Sequence, residues 1–296
     1  MKEETQSQDE LLKVRKLLLN YDDFRLEISI ELKEGEILSI MGPNGSGKTS
    51  LLESLMGIRG GAIVDASYGG FEINRRSSRF NVDTFLFSSD LPYFDRISVE
   101  DNLRFFGKLR GIRISENDLD EAMEAAAIIT SRKKKYADLS KGMKQRVAIA
   151  EVFLSKPKIL LVDEPTTGLD AAGVSDIEEL ISGVTGRNSF VSSAILVTHN
   201  LGLIARLSTR VILLSNGKVI ASGGINEILS SFRQRYVKVS LLKIDDEKKK
   251  EIKRVEGCVF SGLKILVPRS SISRLNEIQI PYEEISQEDI FREVNP

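Results

Sequence analysis

Short apolar runs and amphipathic stretches succeed one another along the chain. Over residues 14–32 apolar and polar positions mix in strand-like runs, and residues 25–30 alternate with period two. Glu34 and Gly35 mark a turn, and Ile37–Met41 reads as a buried strand. A glycine-rich loop over 42–47 follows, then a helix from about Lys48 to Gly57. From about Leu91 to Leu154 the period is helical. Ser98 with Asp101 has the form of a capping box ahead of Val99, Leu103 and Phe106, and Ser115 with Asp118 repeats it ahead of Leu119, Met123 and Ala127. Ser140 opens a further helix, bounded by Pro157. Residues 159–162 and 194–197 are unbroken apolar runs suited to buried parallel strands. Residues 211–214 and 219–221 read as a hairpin turning at Asn216-Gly217. Strand and helix alternate over the first 235 residues, which predicts a mainly parallel sheet carrying helices. Beyond Arg235 the character changes. A charged run over 244–254 reads as a solvated helix face or loop, 259–267 as one strand, and 286–291 as a short capped helix.

The balance of charge narrows the function. In 296 residues, 42 lysines and arginines face 43 aspartates and glutamates, so nothing points to nucleic acid. A single cysteine, Cys258, excludes an intrachain disulfide, fits a reducing compartment, and reads as a small hydrophobe. The first ten residues have no apolar core like that of a signal peptide, and the longest apolar runs fall far short of the roughly 20 residues of a membrane helix. The expectation is a soluble chain that needs a separate membrane-spanning partner if it acts at a membrane.

The loop Gly42-Pro43-Asn44-Gly45-Ser46-Gly47-Lys48-Thr49 satisfies G-x-x-x-x-G-K-[ST], with a strand before it and a helix after it. Glycines let backbone N–H groups turn inward around phosphate oxygens, and the helix adds its N-terminal dipole. Lys48 is placed to reach the β- and γ-phosphates, and Thr49 to offer its hydroxyl to Mg²⁺. The strand over 159–162 ends in Asp163 and Glu164: the first suits a metal ligand, the second a general base for an attacking water. His199, the sole histidine, ends another apolar strand, and in an open parallel sheet such strand ends share one crevice.

These motifs, in this order, resemble those of ABC-type ATPases. Gly42–Thr49 is similar to Walker A; Leu139-Ser140-Lys141-Gly142-Met143 resembles the signature; Asp163 and Glu164 resemble Walker B with its glutamate; Thr167-Gly168-Leu169-Asp170 resembles the D-loop, and His199 the switch histidine. The resemblance implies an α/β P-loop NTPase of ABC type. Its expected parts are a mainly parallel sheet core, an antiparallel β subdomain, a helical subdomain over about 91–155, and a small C-terminal α+β extension. The expected domains are 1–235 and 236–296. It further implies a head-to-tail homodimer sandwiching ATP and Mg²⁺, in which Ser140 and Gly142 reach the partner's γ-phosphate. Ser50 falls in the phosphate site, and Tyr21 where the family stacks adenine. A transmembrane permease, docked around 91–111 with Phe94, Phe105 and Phe106 as candidate contacts, would place the chain in the cytoplasm on the membrane face, most simply as part of an exporter. The alternatives are a non-transport ABC ATPase or a weakly hydrolysing regulatory subunit. The signature departs from the family at Lys141 and Met143. A second departure is that no glutamine occurs between Ile73 and Thr130, where the family places one against Mg²⁺ and water. That position falls at Ser88–Ser89, leaving Ser89 or Asp90 to substitute. Ser89→Gln is expected to change turnover without abolishing nucleotide binding. Unchanged ATPase rates in the reconstituted complex would remove any role for this loop.

Overall fold

The alternation over 25–30 becomes β2, whose side chains point alternately into a core and into solvent. The computed structural model describes residues 10–21, 24–73, 78–88, 92–169, 171–184, 190–198, 200–252, 254–255, 258–261 and 264–286. Ser89, Asp90, Asp170, His199 and all but the first residue of the helix expected over 286–291 lie outside them.

The chain opens with β1 (Glu10–Tyr21), β2 (Phe24–Lys33), β3 (Ile37–Met41), α1 (Lys48–Leu55), β4 (Ile63–Tyr68) and β5 (Phe71–Glu72). Next come α2 (Ser78–Asp83), β6 (Thr84–Ser88), α3 (Val99–Leu109), α4 (Glu116–Ala125), α5 (Lys141–Ser155), β7 (Ile159–Asp163) and α6 (Ala171–Val184). Then follow β8 (Ser193–Val197), α7 (Leu201–Leu207), β9 (Arg210–Ser215), β10 (Lys218–Gly223) and α8 (Ile225–Arg235). The remainder is β11 (Tyr236–Ser240), α9 (Asp246–Ile252), β12 (Val259–Ser261), β13 (Lys264–Pro268) and α10 (Ile272–Glu277). Three sheets result: antiparallel β2-β1-β4-β5, six-stranded β10-β9-β3-β8-β7-β6, and three-stranded β11-β13-β12. In the six-stranded sheet β3, β6, β7, β8 and β9 run parallel, and only β10 is reversed. Among the described residues no helix is long and apolar enough to cross a membrane.

Sequence signals explain most element ends. Ser98 and Ser115 cap α3 and α4, each accepting from the backbone N–H three residues on, and Asp118 completes the box. β7 and β8 are apolar throughout because both of their faces are covered. One face of the sheet packs with α1 and the antiparallel sheet, around Leu26, Leu52 and Val197. The other packs with α3 to α6, around Leu103, Val147 and Leu196. The hairpin tip is Asn216-Gly217, both in the left-handed region. A Cβ on Gly217 would lie 1.9 Å from the Arg25 carbonyl oxygen, and Glu27 N–H donates to the Gly217 carbonyl at 3.0 Å. The hairpin thus clasps the antiparallel sheet to the parallel one.

Two expectations need correction. The single strand expected over 259–267 is a pair, β12 and β13, running antiparallel with Ser261 opposite Lys264. The segment is rich in apolar residues on both sides of the reversal, so its composition reads as one strand. The charged run over 244–254 is not wholly solvated. α9 is its helix, and Ile244, Ile252 and Val255 enter a core with Val237, Ile265 and Leu275. Cys258 packs against that core as a small hydrophobe. A separate cluster joins this unit to the main sheet: Leu266 and Ile285 pack with Met41, at the end of β3, and with Ile204 of α7.

A buried polar network fixes the helical layer to the sheet. Tyr93 Oη donates to Glu151 Oε2 at 2.6 Å, and Arg110 Nε donates to Glu151 Oε1 at 3.0 Å. The Arg110 guanidinium also lies 4.6 Å from the centre of the Phe85 ring. Glu151→Ala would leave the buried Tyr93 hydroxyl and the partly buried Arg110 guanidinium without their acceptor. It is expected to cost about 3–5 kcal/mol in urea unfolding. The triple change Glu151→Leu, Arg110→Met, Tyr93→Phe is expected to recover most of that loss.

Candidate nucleotide site

Parallel register gathers the candidate residues at one edge. Asp163 lies beside Ser88 of β6 and Val197 of β8, and Ile40 of β3 lies beside Val197. The loops leaving β3, β7 and β8 therefore open from the same carboxyl edge, where an open α/β sheet forms its ligand crevice.

The loop after β3 turns tightly against its neighbours. A Cβ on Gly42 would sit 2.0 Å from the Leu214 carbonyl oxygen, so only glycine allows this approach. Gly47 is left-handed and stands as the N-cap of α1, where it offers no side-chain acceptor. The first turn of α1 also lacks an acidic residue. Its N–H groups and dipole thus face the loop uncompensated, which makes an anion site. Lys48 folds back, its Nζ donating to the Gly42 and Pro43 carbonyls at 2.7 and 2.8 Å. Burial pulls its ammonium below the ordinary lysine range, against the charges of Glu164 and Asp163, which raise it. Ser46 Oγ is buried and has no hydrogen-bond partner among the described residues.

A cleft of about 260 Å³ lies over this loop. Its floor includes Asn44, Gly45, Gly47, Lys48, Thr49 and Ser50, and Glu164 and Tyr21 stand on its walls. The ring of Tyr21 is well exposed there, as a stacking surface must be. Beside the cleft, burial pushes the Asp163 carboxyl above the usual carboxylate range, opposed by a hydrogen bond from Thr49. Asp163 Oδ1 is buried and has no hydrogen-bond partner among the described residues. An orphaned carboxylate oxygen next to a threonine hydroxyl fits a hard divalent cation such as Mg²⁺. Glu164 holds a left-handed backbone at φ 47°, fixed by its N–H donating to the Val197 carbonyl at 2.8 Å. Thr198 Oγ1 lies 3.5 Å from Glu164 Oε2.

Ser140 and Gly142 are not on this cleft. Ser140 caps α5, accepting from Met143 N–H at 3.3 Å, and no acid follows in the first turn, so a second helix start without a carboxylate is built elsewhere on the surface. Gly142 lies next to Leu169. Two residues, and the role of a third, went unnoticed in the sequence. Gln145 donates at 2.5 Å to the Pro165 carbonyl, tying α5 to the loop after Glu164. Phe24 and Arg59 stand on the cleft wall, and Phe24 also leaves no room for a side chain at Gly47. No local pattern marks either residue, because the fold alone brings them to the loop.

The geometry is that of a P-loop nucleoside-triphosphate site at the switch edge of a parallel sheet. The family model described as "ABC transporter" matches residues 26–167. A putative ABC transporter ATP-binding protein of Pyrococcus furiosus is 34% identical over 71% of this chain and 80% of its own length. The chain belongs to the family of ABC transporter ATP-binding proteins, whose domains are ATPases. Two Bacillus subtilis relatives are each 30% identical. One is an uncharacterised ABC transporter ATP-binding protein, matched over 66% of this chain and 62% of its own length; the other is the methionine import ATP-binding protein MetN, matched over 71% and 63%. The chain thus spans less than two thirds of either. Among solved structures, cbiO1 from Clostridium perfringens, part of the ABC transporter complex cbiONQ, superimposes with a TM-score of 0.64 at 29% identity, covering 75% of this chain and 91% of that one.

The raised Asp163 carboxyl means that its charge burdens the empty fold. Asp163→Asn is expected to raise the thermal midpoint of the nucleotide-free chain at neutral pH, by about 2 °C. The sign follows from linkage: a folded pKa above the unfolded one costs stability wherever the group is ionised. The gain should therefore shrink as pH falls through the range where Asp163 itself takes a proton. Calorimetry at several pH values checks both parts.

Proposed function

We propose that the chain hydrolyses ATP as the motor subunit of a membrane exporter, acting as a head-to-tail homodimer docked on a separate permease at the cytoplasmic face. The observation that carries this reading is the convergence of Lys48, Thr49 and Glu164 on one cleft, with the orphaned Asp163 oxygen beside Thr49. On binding, phosphate oxygens take over the N–H groups of 45–50 and draw Lys48 Nζ away from the loop carbonyls that now hold it. Thr49 and Asp163 would hold Mg²⁺, with Ser89 as a further candidate; when bound, the ion neutralises charge on the phosphates. Glu164 accepts a proton from the attacking water, and its constrained backbone holds the carboxylate toward the cleft. His199 follows Thr198, whose hydroxyl lies by Glu164, and we assign it to sensing the γ-phosphate.

Closure by two copies follows from what one copy lacks. The start of α5, with Ser140 and Gly142, is absent from the chain's own cleft, and in the dimer it would complete the partner's site. Docking on the permease is assigned to the start of the helical layer. There Phe94 and Phe105 are exposed and stack edge to face, while Phe106 packs inward. Export is read from the likeness of Leu139–Met143 to ATPases whose permease is a separate chain. MetN is named for import, so transport into or out of sealed vesicles decides direction. Residues 1–235 would form the motor and 236–296 its extension.

Glu164→Gln is expected to lower turnover by about 10²–10⁴-fold while ATP still binds, and to elute as an ATP-dependent dimer in size-exclusion chromatography. A variant that stays monomeric and fully active would overturn the assignment.

A further inference from the structure

The cleft holds one side chain whose chemistry the reading above leaves unused. Its floor, Asn44, Gly45 and Gly47 to Ser50, belongs to phosphate, and Glu164 to the γ end. That leaves Leu19, Tyr21, Phe24 and Arg59 to meet the sugar and the base. Three of these are apolar or aromatic and bind a purine face without telling one base from another. Arg59 differs. Its Nε donates to Glu53 Oε2 at 2.8 Å, and Glu53 stands on α1 one turn beyond Thr49. That bond fixes the plane of the guanidinium, and among the described residues its two terminal nitrogens have no acceptor. A guanidinium held by one edge presents its remaining N–H donors as a rigid fork. Guanine offers two adjacent acceptors, O6 and N7, to such a fork; adenine offers N7 beside an amino group that is itself a donor.

We propose that Arg59 reads the purine edge of the bound nucleotide, and that this site takes guanine nucleotides at least as tightly as adenine nucleotides. The inference rests on the nucleotide-site reading and deepens it by naming the base. Arg59 is assigned as a specificity residue: it lines the cleft and is about a third exposed.

The test is titration calorimetry of the full chain with Mg·GDP and Mg·ADP, which removes hydrolysis from the measurement. The wild type is expected to bind GDP with a Kd equal to or below that for ADP. Arg59→Ala is expected to weaken GDP about tenfold and ADP much less, with the melting temperature confirming an intact fold. Arg59→Lys keeps the charge and loses the fork, so it should follow the alanine variant in its GDP-to-ADP ratio. A ratio unchanged in both variants overturns the proposal. So does an equal loss of both nucleotides on Arg59→Ala that Arg59→Lys restores, which would assign Arg59 to phosphate charge. A wild type that binds neither nucleotide overturns the nucleotide-site reading and this inference with it; binding of both without an Arg59-dependent ratio overturns the inference alone.

Discussion

Helix α1 begins at a glycine that cannot cap it, with no carboxylate in its first turn, and the chemistry of the cleft depends on that uncompensated start. Four N–H groups and about half a positive charge are held where an anion can reach them. Lys48, Thr49 and Asp163 gain their meaning from the same place. The lysine is held in reserve on the loop carbonyls, and the aspartate keeps an oxygen without a partner. Lys48 and Thr49 exchange partners within the chain for ligand atoms, whereas the helix start and the Asp163 oxygen gain partners only when a phosphate and a cation arrive.

The parallel sheet makes this arrangement possible. β3, β7 and β8 are in register, so three loops that are remote in sequence leave the sheet side by side. Their apolar runs supply the cores on both faces, and their last residues supply the chemistry. The same division holds at α5. Its serine cap opens toward solvent while Val147, Ala148 and Val152 anchor the helix, and Glu151 ties it to Arg110 and Tyr93.

Much of this was legible in the sequence because local rules were enough. The glycine loop, the caps at Ser98, Ser115 and Ser140, the β9–β10 turn and the strands ending at Asp163 and Val197 each carry their own signal. What escaped was what depends on tertiary placement. Thr84–Ser88 is a strand because it lies beside β7, and its apolar run of Phe85, Leu86 and Phe87 is shorter than those of β7 and β8. The short β4, β5 and α2 share that weakness. Phe24 and Arg59 sit in ordinary surroundings along the chain and become wall residues only once the two sheets meet.

The clasp at Gly217 bears on the entropy of ligand capture. The tip of the β9–β10 hairpin lies against the Arg25 carbonyl and bonds Glu27, so it ties the sheet bearing Tyr21 to the sheet bearing the glycine loop. The aperture between aromatic wall and helix start is thereby set before any encounter. A recess built in advance of its ligand reduces the ordering entropy lost on arrival.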